Sequence, residues 1–450
     1  MGNSNQALQS QETPPSRFIP FRKNAIIAML RKDGALSEKE SIEFLELARI
    51  IGAYYHFQFH HKLEVLKDAY FPFDPDLDVE SLETFTEEER VERGRCLISM
   101  LTEVLNDANY EAISEEDVLS AFLEANLIKL RLTIDFEDFE ECLVYGRGNV
   151  VKDLEVKRLV FLKKKVKVET FERVVLFLRF KDTEHFESRN RKKLNFQPGS
   201  TLIKIFKDMP RADLEMLFPN TQLRMHTLDK LLLGVPAIGG AVPILMAKVL
   251  PHLPVIFSIL FGYLAGEKIK QGKWIQAAIQ GGVAMFALGA YSWRQWEKFK
   301  NRRLMYLKTL TENLYFKNLD NNAGVFFRLI DSAEEEEFKE ALIAYYFLLT
   351  EGPLEASALD RRIEEWFLEK HKTRIDFEVE GGLEKLIQLG VATKNEKVYS
   401  VLSLDLAKRK VDSIWDGFFD YPEESSDCQF VDTEFISKTD QHENESNPSN

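Results

Sequence analysis

The sequence predicts an α+β fold anchored to a membrane, on three observations. Leu231–Gly266 is almost free of charge, apart from Lys248, and lies between highly charged regions. Apolar residues before Ala125 recur at helical spacing. Beyond them, Arg158–Val168 and Thr170–Phe180 are rich in Val, Leu and Phe with Lys and Arg interspersed, as strands are.

Within the helical part, Leu45, Ala48, Ile51, Tyr55 and Phe59 mark a helix over Ser37–Phe71, and Glu80–Ala125 supplies two more amphipathic helices. Ser114 followed by Asp117 resembles a capping box for the helix that continues through Val118–Ala125. Gly146 and Gly148 mark a turn or a close backbone approach. Residues 17–225 thus read as one α+β domain after a disordered 1–16.

Residues 226–300 are the expected transmembrane region. Helices over Leu231–Ala247 and Val249–Gly266 would be about 25 and 27 Å long, near the hydrocarbon thickness, with Lys248–Pro254 as the turn. A third stretch, Trp274–Trp293, is less apolar. Basic flanks at Arg224, Lys230, Lys268, Lys270 and Lys273, and from Arg294 to Arg303, place both ends of a transmembrane helical hairpin on the cytoplasmic side. One kinked span followed by a second, or three spans, are the alternatives.

Residues 301–421 read as a C-terminal helical domain ending in a winged-helix-like α/β module. Leu354–Glu369 is amphipathic, Phe377–Leu389 forms a second helix, and Val391–Leu402 reads strand, turn at Lys394–Glu396, strand. Residues 422–450 form a polar acidic tail without periodicity, read as disordered.

A formal charge of -14 in 450 residues excludes a general affinity for nucleic acid, which needs clustered Lys and Arg. Three cysteines, Cys96, Cys142 and Cys428, match the spacing of neither a zinc site nor a disulfide framework. Met1–Pro15 has neither the apolar run of a secretory signal nor the Arg-rich character of a transit peptide. No metal or cofactor is expected. His56 and His60 with Glu64 have metal-ligand spacing, but further ligands would have to come from elsewhere, and packing at a domain edge is the reading taken. Glu334–Glu337 reads as a solvated first turn, where the helix dipole favours carboxylates. The polar cluster Asn318-Leu-Asp-Asn-Asn-Ala-Gly324 reads either as a ligand site or as Asx turns and an N-cap between two helices.

Several segments resemble the domain of unknown function 3754 family, of which transmembrane protein 143 is a eukaryotic member. They are Arg17-Phe-Ile-Pro-Phe-Arg-Lys23, Phe171-Glu-Arg-Val-Val-Leu176, Lys207-Asp-Met-Pro-Arg-Ala-Asp-Leu-Glu-Met-Leu-Phe-Pro219, Leu228-Asp-Lys-Leu231 with Gly234-Val-Pro-Ala237, and Tyr315–Gly324. The resemblance runs over roughly Arg17–Tyr421 and implies an integral membrane protein without an activity to carry over. The lack of a transit-like start favours a bacterial inner membrane over an organellar one.

The leading functional expectation is a membrane-tethered interaction or regulatory scaffold, contacting the lipid membrane and a protein partner or a second copy, and no nucleic acid. A second is an oligomeric pore or transporter component, suggested by Gly262-x-x-x-Gly266. A third is a membrane-associated enzyme whose ligand site uses Asp208, Asp213, Glu215, Asn318, Asp320, Asn321 and Asn322. No nucleophile elbow, P-loop, dinucleotide fingerprint or kinase signature accompanies them.

Overall fold

Capping chemistry starts the first long helices. In the computed structural model of the chain, a short helix Lys23–Lys32 (α1) is followed by Glu38–Tyr70 (α2), where Ser37 and Glu40 form a reciprocal capping box. Thr86 and Glu89 repeat the device at Glu87–Asp107 (α3). The described residues are 15–76, 85–118, 131–159, 162–189, 191, 194, 196–224, 314–417 and scattered positions between 279 and 304. They fall into two units, one made of residues 1–124, 136–214 and 317–450, the other of 125–135 and 215–316.

The first unit contains an antiparallel five-stranded sheet. Its strands are Glu111–Ala112 (β1), Phe139–Leu159 (β3), Leu162–Phe180 (β4), Thr201–Pro210 (β5) and Asn318–Asn321 (β7), in the order β1-β3-β4-β5-β7. Register places Tyr145, Val175 and Ile205 in one row and Leu143, Phe177 and Ile203 in the next. Both rows pack with the helical core. Val174, Leu176 and Leu178, pointing the other way by alternation, are also buried, so β4 reads as a continuous apolar run. Gly146 and Gly148 lie inside β3 and not in a turn; Cβ atoms there would come within 2.8 Å of Phe171 and 2.9 Å of Glu172. In the second unit, Arg131–Thr133 (β2) pairs with Gln222–Arg224 (β6), and Asn220 donates to the Asp135 carbonyl.

Between Thr183–Ser188 (α4) and the C-terminal elements, Ala323–Glu351 (α5) is the helix around which the first unit is assembled; it packs on α1, α2, α3 and the sheet. Phe338 and every residue from Ala341 to Leu348 are buried. Leu354–Glu355 (β8), Ala356–His371 (α6), Val379–Gln388 (α7), Ala392–Asn395 (β9) and Val398–Val401 (β10) follow, with sheet order β8-β10-β9, then Leu404–Asp416 (α8). Counted from α5, this is helix, strand, helix, helix, strand, turn, strand.

Residues 16–23 form a strap across α5. Ser16 makes a parallel bridge to Ile375, and Ile19 is buried against the helix. The Lys339 ammonium, 1% exposed, donates to the Ile19 carbonyl (2.8 Å), the Phe21 carbonyl (3.1 Å) and Glu336 Oε1 (2.6 Å). Glu336 Oε2 accepts the Ile19 N–H at 3.2 Å. All three ammonium donors are thereby satisfied.

Two expectations are corrected. Glu334–Glu337 is no solvated first turn, because α5 begins eleven residues earlier, at Ala323, and Glu334 and Glu336 are buried beneath the strap. No breaker falls between Phe326 and Glu334, so the helix runs through. The second correction is the membrane anchor. Among the described residues no helix is long and apolar enough to cross a membrane, so the membrane-anchored fold, the central multi-pass hairpin and the integral inner-membrane or organellar location are not retained. The described apolar helices owe their composition to the core; α5, for example, carries Glu334–Glu337, Lys339 and Glu340 in its middle. The runs Leu231–Gly266 and Trp274–Trp293 lie outside the described residues except for scattered positions in the latter, as do the termini 1–14 and 418–450.

Glu336→Gln should lower the unfolding free energy by about 3–5 kcal/mol, since it leaves a buried ammonium without its counter-charge. Urea titration of Glu336→Gln, Lys339→Met and the Glu336→Leu/Lys339→Met double variant should show the double variant losing less than the sum of the two single losses.

Candidate functional site

Sequence-predicted site residues gather mainly at one corner of the sheet. β7 pairs with β5 through Lys204 and Asn321, Ile205 and Asp320, and Phe206 and Asn318. Asn318 Nδ2 donates to Asn321 Oδ1 (3.0 Å), and Asp320 binds the Asn321 N–H (3.1 Å) and Arg328 Nε (2.8 Å). Asn322, at φ 48°, turns the chain into α5; its N–H meets the Ile203 carbonyl (2.8 Å) and its Nδ2 meets Asp76 Oδ2 (2.5 Å). A Cβ at Gly324 would lie 2.2 Å from Asp320 Oδ1, so glycine is what lets the helix begin against that carboxylate. The Asx-turn reading of Asn318–Gly324 accounts for each of these contacts.

Asp208, at φ 50°, pairs with Lys152 at 2.5 Å, which holds its carboxyl below the usual range. Asp213 is pushed up by burial and faces Lys317, whose own proton affinity burial lowers; Lys317 also feels Asp208. Glu215 belongs to the second unit and is buried there. The structure therefore brings Asp208, Asp213 and the Asn318–Asn322 corner to one end of the sheet, with Asp208 and Asp320 each on its own cation and Asp213 facing Lys317. Among the described residues no group of three or more His, Cys, Asp or Glu side chains is placed to hold a metal ion. His56 bonds Glu334 through Nδ1 at 2.8 Å, while His60 is exposed and Glu64 is taken by Lys67.

A second constellation, unread in the sequence, runs along α5. Lys385 on α7 reaches Glu337 (2.6 Å) and Glu340 (2.5 Å). Asn109 donates to Glu340 Oε1 at 2.7 Å, and Lys62 bridges Asp107 and Glu103 beside it. Lys23 holds Glu334 at 2.8 Å. A Cβ on Gly382 would stand 3.1 Å from the Glu340 carbonyl, so this glycine sets how closely α7 approaches α5 and delivers Lys385 to its carboxylates. Burial pushes Glu337 up to about 7 despite Lys385; the two carboxylates conversely raise Lys385 against its burial. The glycine pair Gly381-Gly382 inside an apolar helical pattern was the available signal for this contact.

Fold and site together define an α+β chain whose described polar residues mainly serve its own assembly. Residues 171–324 match the model of the family described as Protein of unknown function (DUF3754). That segment enters in the middle of β4, takes in β5 and β7, and closes at Gly324. No solved structure matches the chain.

Gly324→Ala should destabilise by about 1–3 kcal/mol, as overpacking does. Adding Asp320→Ala should recover part of that loss in denaturant titrations, because the atom in the way is removed. Glu337 supplies a pH test with a defined sign. Its folded-state pKa lies above its ordinary value, so the folded chain binds the extra proton between about 4.5 and 7, and stability falls as pH rises through that window. Urea midpoints from pH 4.5 to 8 should show Glu337→Gln flattening this fall, by on the order of 3 kcal/mol at most.

Proposed function

We propose that this chain is an interaction or regulatory protein that holds a polypeptide partner, neither turning over a substrate nor reading nucleic acid. The observation that carries this is the fate of Lys385. In a helix–strand–helix–helix–strand–strand module, the helix before the paired strands is the one that would enter a major groove, and it needs Arg or Lys on its outer face. Here that helix is α7, and its one lysine is drawn inward onto Glu337 and Glu340. Its exposed positions are Glu380, Glu384, Ile387 and Gln388. Lys394 at the end of β9 and Lys397 in the following turn, with Glu396 between them, leave a net charge of +1, too little to track a phosphate backbone. An acidic face with one exposed aliphatic side chain, Ile387 at 40%, suits a protein surface carrying a basic rim around an apolar pocket. The paired state of the corner carboxylates favours this reading over the enzyme alternative.

A photo-crosslinker at Ile387 in the full chain should yield a discrete heavier adduct with a partner protein, and Glu384→Lys should abolish it while leaving the unfolding midpoint within about 0.5 kcal/mol of the parent. Anisotropy titration with duplex DNA at low salt should show no binding. Micromolar affinity falling steeply with salt, at a slope implying several phosphate contacts, would overturn the proposal.

A further inference from the structure

Away from the α5 network, the Arg179 guanidinium is buried without a salt bridge among the described residues. Arg179 lies near the end of β4, opposite Glu141 on β3 and Thr201 on β5, and is only 9% exposed. Its Nε and Nη2 are shut off from solvent and find no hydrogen-bond partner, and the same is true of the Thr201 hydroxyl beside it. Glu140 and Glu141 attract the guanidinium Coulombically. A guanidinium stays charged in proteins, so its donors demand acceptors.

The surroundings add positive charge. Arg179 stacks 4.6 Å from the Phe73 ring, and Arg90 lies 5.2 Å from that same ring. Arg93 covers Phe85 at 4.8 Å and spends one donor on the Asp68 carbonyl. Arg90, Arg93 and Gly94 share one face of α3 by their spacing. A Cβ at Gly94 would fall 2.7 Å from Arg179 Nη2 and 2.8 Å from Nη1, so the guanidinium seat exists only because this helix position, where alanine would be the better helix former, is glycine.

We infer that Arg179, with Arg90 on the same Phe73 ring and the Thr201 hydroxyl opposite, is an oxyanion site that takes a phosphate group. A carboxylate would match one guanidinium; two guanidiniums and a hydroxyl match the charge and the several acceptor oxygens of a phosphate. The site is independent of the interaction reading above.

Thermal unfolding of the full chain tests this with inorganic phosphate and glycerol phosphate against potassium chloride at equal ionic strength. At about ten times the dissociation constant, phosphate should raise Tm by about 2 °C or more. Arg179→Met should match or exceed the parent Tm without phosphate, since an unpaired buried cation is removed, and lose the phosphate increment. Arg90→Met should weaken phosphate about tenfold. Tighter binding of glycerol phosphate assigns a phosphomonoester as the ligand, and equal binding assigns the free ion. Should Arg179→Met fail to fold, Gly94→Ala displaces the guanidinium and must lose the increment too. No increment over chloride, or an equal one in the parent and in either variant of the seat, overturns the site.

Discussion

The Lys339 ammonium is the point on which the first unit hangs. A lysine taken wholly out of water must have each of its three donors met, and here two are met by carbonyls of the strap and one by Glu336. Glu336 in turn accepts the Ile19 N–H, so the pair binds residues 16–23 as if the strap were a bound peptide. Arg147 and Lys339 both lie against the Phe18 ring, at 4.1 and 5.2 Å, which ties the same strap to β3. Burying this pair is not by itself a gain in stability. Its effect is registry, because the ammonium and the carboxylate together take the Ile19 N–H and the Ile19 and Phe21 carbonyls.

From that anchor the polar order spreads along α5 in both directions. Glu334 takes Lys23 and His56 on one side; Glu337 and Glu340 take Lys385 on the other, with Asn109 donating to the second oxygen of Glu340. The carboxylates therefore tie α5 to separate neighbours: Glu334 to the strap and α2, Glu337 and Glu340 to α7, and Glu340 also to the loop after α3. A central helix with apolar sides alone would pack in many rotations of similar energy, whereas carboxylates matched to lysines on separate neighbours select one. The same matching removes Lys385 from the surface, so core specificity and the acidic outer face of α7 have a single origin.

The corner at Asn318–Gly324 works by close approach instead of charge burial. β7 contributes only four residues to the sheet edge, and Asn322 in a left-handed conformation turns the chain directly into α5. Asp320 sits where the Gly324 side chain would be and is held by Arg328 one turn further on. The helix is thus fixed in direction as it leaves the sheet, which places Glu336 and Lys339 under the strap.

Local chemistry was legible in the sequence. Ser37 with Glu40 begins α2, helical spacing sets the buried row Ala48, Ile51, Tyr55 and Phe59, and the run from Val391 to Leu402 gives two short strands about a turn. The Asn and Asp residues of the corner read as turn and cap because their side chains compete for nearby backbone, a property of a few adjacent residues. What the sequence could not display is which charges are buried. Glu334 meets Lys23 across 311 positions of chain and Glu336 meets Ile19 across 317. A run of four glutamates is indistinguishable locally from a solvated helix face, since the cost of burying it depends on partners that only folding supplies. Arg179 is the converse case, a strand residue like its neighbours until Gly94 and Phe73 close around it. Periodicity and capping are short-range and survive in the order of residues, whereas desolvation and charge matching are long-range and exist only once the elements have met.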